Sequence, residues 1–180
     1  MKKIYVALAA LIVVAVALAV IAGCGGTSTT PTSSTSTGGS NPQAAVSDFL
    51  KGISTVNWTL YSGSILPENL KALSATDLES LKKQFTSGTK TSFSGLTMKT
   101  DINPKDKTQA TVTMTGGTIT TTGGTTSAPS VQKVPDMPIA DRTIYTRQYK
   151  GKWYIDMGAM SQLQQQQQQQ STTPATPTTP

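Results

Sequence analysis

Apolar residues change their spacing near Gly88, and the two spacings predict different secondary structure on either side of it. Residues 46–53 and 78–85 carry apolar side chains three or four positions apart, which is the period of a helix with one buried face. Residues 96–102 and 110–115 alternate apolar or branched side chains with polar ones, which is the period of a half-buried strand. Helices followed by strands predict an α+β fold, with N-terminal helices packed on an antiparallel sheet.

Three helices are predicted from their start signals. Asn41 is a favourable N-cap residue, and Pro42 suits the first position of the helix that follows. A proline also opens a short second helix at residues 67–73. Thr76 with Glu79 matches the capping box of a third helix.

The last two predicted strands form a hairpin. Residues 143–149 and 152–157 flank Lys150-Gly151, a two-residue loop in which glycine supplies a positive φ. The Gly- and Pro-interrupted region 116–138 is not assigned to strands. In this register three pairs share the core face: Gln148 with Trp153, Thr146 with Ile155, and Ile144 with Met157. The opposite face is expected to be exposed and carries Tyr145, Arg147, Tyr149, Lys152, Tyr154 and Asp156.

Low-complexity sequence borders the predicted domain on both sides. Residues 24–40 consist of Cys24 and GGTSTTPTSSTSTGGS, which contains no large apolar side chain and therefore predicts a disordered tether. Residues 161–180 combine a Gln run with Thr and Pro, a composition typical of disorder. One domain is therefore predicted at residues 41–160.

The N-terminus resembles an export signal. Lys2 and Lys3 precede an apolar run at residues 4–22, an arrangement that leaves the following chain outside the cytoplasm. The run is close to the ~20 residues that a transmembrane helix needs, so a single N-terminal membrane helix with the domain outside is one interpretation.

The other interpretation is a cleaved and lipidated N-terminus. Ile21-Ala22-Gly23-Cys24 resembles the lipobox of bacterial lipoproteins. The resemblance implies that a signal peptide of residues 1–23 is cleaved between Gly23 and Cys24, and that the Cys24 thiol is acylated and held in the membrane lipid. Two or more acyl chains give a stable anchor where one would be marginal. Cys24 is the only cysteine of the sequence, so it has no disulfide partner within the chain.

The charge pattern excludes nucleic acid as a partner. The formal net charge is +6, with 15 Lys and Arg against 9 Asp and Glu, and Lys2 and Lys3 would leave with the signal peptide. The remaining cations are spread from Lys51 to Lys152, unlike the basic stripe of a nucleic-acid-binding protein. A weak attraction to anionic lipid head groups is expected.

The predicted domain resembles the nuclear transport factor 2-like superfamily over about residues 41–158. The resemblance implies a cone-shaped α+β fold, in which a curved sheet wraps the first helix and can leave a pocket at its wide end. It is carried by the first helix (Pro42, Val46, Phe49, Leu50) and the closing strand (Lys150, Gly151, Trp153, Ile155, Asp156).

No catalytic residue, metal or cofactor is predicted. Enzymes of this superfamily use a buried Asp or His as acid or base, and this chain has no His. Asp141 and Asp156 are the remaining candidate pocket carboxylates, and Asp156 is expected at the surface as a partner of Arg147 or a lysine.

Two groups of residues are candidates for binding. The first group could line a pocket for a small apolar ligand or could simply fill the core. The second group has the composition of a protein interface, although ordinary cross-strand pairing also explains it. The pocket candidates are Trp58, Tyr61, Phe85, Phe93 and Trp153, and the interface candidates are Tyr145, Arg147, Tyr149 and Tyr154.

The sequence therefore predicts a lipid-anchored, non-enzymatic binding domain outside a bacterial cell membrane. Its expected partners are a second copy of the chain, forming a homodimer, or an envelope protein. The alternative is a carrier or sensor of a small apolar ligand, and a third hypothesis is a cyclase- or isomerase-like enzyme.

Overall fold

The computed structural model describes residues 38–87, 89–123 and 128–162. In these ranges helices pack against a strongly curled antiparallel sheet, which confirms the predicted α+β class. Within the described ranges, every helix is too short or too polar to span a bilayer. The predicted cleavage site at Gly23 and Cys24 lies outside the described residues, as do most of the predicted tether and tail.

Helix α1, Pro42–Ser54, begins where the sequence predicts. The Asn41 side chain accepts a hydrogen bond from the N–H of Ala44, and proline occupies a position whose N–H would have no helical partner. The apolar side of α1 packs on the sheet. Its buried residues are Pro42, Ala45, Val46, Phe49, Leu50 and Gly52.

Three more helices follow α1. Helix α2, Trp58–Gly63, begins at Asn57, whose side chain accepts a hydrogen bond from the N–H of Leu60. Helix α3, Pro67–Lys71, is the predicted short helix, and helix α4 is Ala75–Ser87. The predicted helical region therefore contains one short helix, α2, that the sequence pattern did not reveal.

The N-terminal cap of α4 differs from the prediction. Ser74 Oγ accepts a hydrogen bond from the N–H of Asp77 at 3.2 Å and donates one to Asp77 Oδ2 at 2.6 Å. The predicted capping box of Thr76 and Glu79 is wrong, because the helix already begins at Ala75 and Thr76 lies within its first turn.

Five antiparallel strands form one sheet in the order β1-β2-β4-β5, and β3 pairs with the later part of β2. Because β3 and β4 lie along the same edge of β2, they cover successive halves of that long strand. The strands are β1 Lys90–Ile102, β2 Gln109–Thr122, β3 Ser130–Lys133, β4 Thr143–Tyr149 and β5 Lys152–Ile155.

Strands β1 and β2 extend further than the predicted segments 96–102 and 110–115. Their pairing shifts register in the middle of the ladder, where Gly95 and Gly117 adopt φ of 61° and 107°. Glycine takes these values without strain, and such an irregularity bends a strand. The shift interrupts the alternation of apolar and polar side chains along β2, so the sequence pattern does not predict a strand at residues 116–122.

The β4–β5 hairpin is confirmed. Lys150 and Gly151 have φ of 50° and 79°, the positive values that a tight two-residue hairpin turn requires. Two predicted cross-strand pairs are present: Gln148 with Trp153, and Thr146 with Ile155.

The third predicted pair, Ile144 with Met157, is wrong. Strand β5 ends at Ile155, and residues 157–162 are helical. The side chain of Asp156 caps the N-terminus of this helical segment, because its Oδ1 accepts a hydrogen bond from the N–H of Ala159 in the first turn.

The outer edge of β5 is covered by two short segments. Gly39 and Trp153 exchange backbone hydrogen bonds of 2.8 and 2.9 Å. Further along, the N–H of Ile155 donates to the Ser64 carbonyl at 2.8 Å, and the N–H of Leu66 donates to the Ile155 carbonyl at 2.9 Å. These bonds pair backbone groups of β5 that would otherwise be open to another strand. They also hold Gly39, near the start of the described chain, beside β5.

The main core lies between α1 and the inner face of the sheet. Its side chains come from every layer of the fold, so the helices and the sheet depend on one another for burial. The large residues that are fully buried are Val46, Val112, Val134 and Ile155.

Candidate functional site

The outer face of β4 and β5 brings together the four candidate interface residues. Tyr145, Arg147 and Tyr149 occupy alternate positions of β4, so their side chains share one face. Tyr154 lies opposite Arg147, and its ring meets the Tyr149 ring edge-on with centroids 6.4 Å apart. The Lys150 ammonium lies 5.3 Å from the Tyr149 ring centroid. This face therefore combines aromatic and cationic groups, as interfaces often do.

The same face is less exposed than the sequence predicts. Tyr154 is only 3% exposed, and Gly38 lies so close to it that a β-carbon there would be 2.5 Å from Tyr154 Cζ. Tyr145 is half-buried and packs against the core. The Arg147 side chain remains 43% exposed and Tyr149 is half-buried, so these two form the accessible part of the candidate interface.

Asp156 is buried, whereas the sequence predicted a surface carboxylate. Its Oδ2 lies 3.0 Å from Nε of Arg147, the predicted partner, and its Oδ1 accepts a hydrogen bond from the N–H of Ala159 at 3.1 Å. The Arg147 Nε–H forms no hydrogen bond within the described ranges, so this contact is an ion pair without an aligned hydrogen bond. Asp141, the other candidate carboxylate, is half-buried in the turn before β4. Asp156 therefore has a structural role at this position.

Three of the candidate pocket residues contact one another, and one of them, Tyr61, also contacts Phe49. The ring centroids are 4.5 Å apart for Tyr61 and Phe85, 5.1 Å for Phe49 and Tyr61, and 5.6 Å for Trp58 with each of Tyr61 and Phe85. These are contact distances for aromatic rings, so the four rings fill the space that they share. We call Phe49, Trp58, Tyr61 and Phe85 the aromatic cluster.

Tyr61 contacts each of the other three rings of the aromatic cluster. It is 4% exposed, and this burial raises the pKa of its phenol from 10.0 to about 12, because the phenolate would lose its hydration. The phenol is therefore protonated at neutral pH, and burial alone gives it no tendency to act as a base.

Of the other two candidate pocket residues, Phe93 packs on the same core as these rings, whereas Trp153 lies in a separate cluster. Phe93 pairs with Ile119 in the β1–β2 ladder and packs on the main core. Trp153 is buried with Ala45 and Ala110 in a separate cluster. Trp153 therefore faces α1 from β5, whereas Tyr61 stacks on residues of the helices.

Exposed lysines gather at the end of the sheet where the β1–β2 turn meets the β4–β5 hairpin. The N–H of Gln148 donates to the Thr108 carbonyl at 2.7 Å, so the turn and the hairpin are in contact. Two of these lysines belong to the first turn and two to the second, more than 40 residues later in the sequence. The charge pattern along the sequence shows only clusters of neighbouring residues, so it did not reveal this group. We call this group the basic end, and its members are Lys105, Lys107, Lys150 and Lys152.

Asp106 lies between the two lysines of the β1–β2 turn. Its Oδ1 accepts hydrogen bonds from the Thr108 hydroxyl at 2.6 Å and from the Thr108 N–H at 3.0 Å. These two hydrogen bonds, with a smaller contribution from the charge of Arg147, hold the pKa of Asp106 below its usual value. The ionised carboxylate thereby stabilises the turn that presents Lys105 and Lys107.

Within the described ranges, no three side chains of His, Cys, Asp or Glu come close enough to hold a metal ion. Comparison with models of known protein families gives no match, and comparison with curated proteins gives none either.

Proposed function

We propose that this chain is a bacterial lipoprotein that holds a nuclear transport factor 2-like, non-enzymatic binding domain on the outer side of the cell membrane. The observation that carries the proposal is the order of its segments. A charged start and an apolar run lead to Ile21-Ala22-Gly23-Cys24, and a polar stretch then separates this motif from a folded α+β domain. An acylated Cys24 would anchor the domain, and the polar stretch would let it move above the membrane surface.

The fold is compatible with the proposed superfamily. Four helices precede a strongly curled antiparallel sheet, and helix α1 packs on the sheet's inner face. The aromatic cluster occupies interior space with rings in mutual contact. A filled interior favours binding at the surface over binding inside the domain.

The outer face of β4 is the surface that best fits a protein partner. Arg147 and Tyr149 are accessible there, and both residue types are enriched among those that dominate interface energetics. The partner would be a second copy of the chain or another envelope protein.

Site-specific photocrosslinking in living cells tests this proposal. A benzophenone side chain replaces Tyr149 in one chain and Gln84, an exposed residue of α4, in a control chain. We expect irradiation to give a discrete crosslinked species from position 149 and none from position 84. Equal crosslinking at both positions, or none at position 149, would show that the outer face of β4 is not the binding surface.

A carrier of a small apolar ligand is the second candidate. Trp58 and Phe85 are only half-buried, so the edge of the aromatic cluster offers ring surface to an apolar molecule. A ligand that binds between the rings would have to open the contacts around Tyr61, and the pH dependence of the unfolding of Tyr61→Phe, compared with that of the original chain, tests whether these contacts are closed.

A further inference from the structure

The basic end carries most of the excess charge of the folded domain. The described domain holds 13 Lys and Arg against 9 Asp and Glu, an excess of four positive charges. Two ion pairs lie beside the basic end and add no net charge to it: Lys99 with Asp101, and Arg147 with Asp156. The four lysines of the basic end are opposed locally by the carboxylate of Asp106. Three of the four excess charges are therefore concentrated at this end of the sheet.

The chain enters the domain beside β5, whose first residue, Lys152, belongs to the basic end; the bridge is antiparallel, so the chain before Gly39 runs along β5 toward Tyr154. Gly39 is hydrogen-bonded to Trp153, which lies three residues from Lys150 and so about 10 Å away along the hairpin. A stretch with the length and composition of residues 24–38 spans about 20 Å on average and at most about 50 Å. A membrane anchor at Cys24 would therefore keep the basic end within reach of the lipid surface.

We propose that the basic end docks onto the anionic phospholipid head groups of the membrane to which the chain is anchored. This inference rests on the proposed membrane anchor. Lysine side chains are attracted to an anionic surface within about 8 Å at physiological ionic strength, and their contributions add. The tether supplies the proximity that so few lysines could not provide alone. Docking places the outer face of β4 beside the membrane, where a second anchored copy or another membrane protein would meet it.

Lysine footprinting of the full chain tests the docking. The chain is purified with its native anchor and reconstituted in vesicles of phosphatidylcholine, alone or with about 30% phosphatidylglycerol. A water-soluble acylating reagent is added, and mass spectrometry measures the rate at which each lysine reacts. We expect Lys105, Lys107, Lys150 and Lys152 to react at least about threefold more slowly on the anionic vesicles. Lys82 and Lys83 on α4, which are also exposed, should react at the same rate on both.

Added salt, and a variant whose basic end has no net charge, identify the cause of any protection from acylation. About 0.5 M NaCl should restore the rates on anionic vesicles, because it shortens the range of the attraction to a few ångströms. In the variant Lys105→Gln/Lys107→Gln/Lys150→Gln, the reaction rate of the remaining Lys152 should no longer depend on phosphatidylglycerol.

A matched control removes three lysines elsewhere. The variant Lys71→Gln/Lys82→Gln/Lys83→Gln loses the same charge from α3 and α4, and its Lys152 should remain protected on anionic vesicles. Loss of protection in this variant as well would mean that net charge, and not the basic end, causes the effect.

Several results would overturn the docking proposal. One is equal reaction rates on neutral and anionic vesicles, and another is equal protection of Lys82 and Lys83. Protection by soluble polyglycerol phosphate but not by anionic vesicles would assign the basic end to a wall polymer and not to lipid. The anchor is read separately, from the mass of the peptide that contains Cys24. A chain held by an uncleaved membrane helix could still dock, and an acylated chain could fail to dock, so the two proposals fail independently.

Discussion

Tyr61 lies among other aromatic rings and should resist ionisation. Its folded-state pKa is about 12, against 10.0 for an exposed tyrosine, because burial penalises the phenolate. Because the pKa of Tyr61 is higher in the folded state than in the unfolded state, its protonated phenol contributes to the stability of the fold. This contribution is fully present below about pH 10, the unfolded-state pKa, and is lost as the pH rises to about 12, the folded-state pKa. Two pKa units correspond to a total of about 3 kcal/mol, of which about half is lost by about pH 11.

The variant Tyr61→Phe isolates this effect, because phenylalanine keeps the ring contacts at 4.5 and 5.1 Å but cannot ionise. Urea unfolding of both proteins, followed by tryptophan fluorescence, gives the free energy of unfolding at about pH 8 and about pH 11. All other ionisable groups titrate in both proteins, so they cancel in the comparison. We expect the original chain to lose about 1.4 kcal/mol more than the variant between these pH values.

An identical loss of stability in the two proteins would refute the reasoning. It would mean that Tyr61 ionises like an exposed tyrosine and that its surroundings admit water. The aromatic cluster would then be an open site, and the small-ligand hypothesis would gain support. If the expected difference appears, the interior is closed in the state that unfolds.

Two substitutions of Asp156 separate its charge from its capping role. Asp156→Asn keeps an oxygen that can accept the hydrogen bond from Ala159, but it loses the charge beside Arg147; we expect a cost of at most about 1 kcal/mol, because Arg147 is 43% exposed. Asp156→Ala loses both contacts, and we expect a further cost of about 1 kcal/mol from the lost cap. Urea unfolding of both variants measures these costs, and equal costs would contradict a capping role.

Local signals in the sequence predict the elements that they define directly. The cap at Asn41 and the turn at Lys150-Gly151 each depend on residues that are adjacent in the chain, and both are confirmed. The β4–β5 register follows from the turn, so the pairs formed by Trp153 and Ile155 are confirmed as well.

Features that depend on distant parts of the chain were missed or wrong. The later part of β2, residues 116–122, was missed, because the register shift around Gly117 breaks the alternation on which the pattern relies. Tyr154 was expected to be exposed, because nothing in its neighbourhood along the chain indicates that it is buried or that Gly38, which is distant in sequence, lies against its ring. The basic end was missed because its lysines belong to two turns that only the pairing of β2 with β4 brings together.

The proposed lipoprotein nature of the chain is tested most directly by the mass of its N-terminal peptide after purification from membranes of its host. We expect a peptide that begins at Cys24 and carries a thioether-linked diacylglycerol, and we expect Cys24→Ser to retain residues 1–23. A peptide that begins at Met1 and contains Cys24 with a free thiol would contradict the account and would identify the apolar run as a membrane helix.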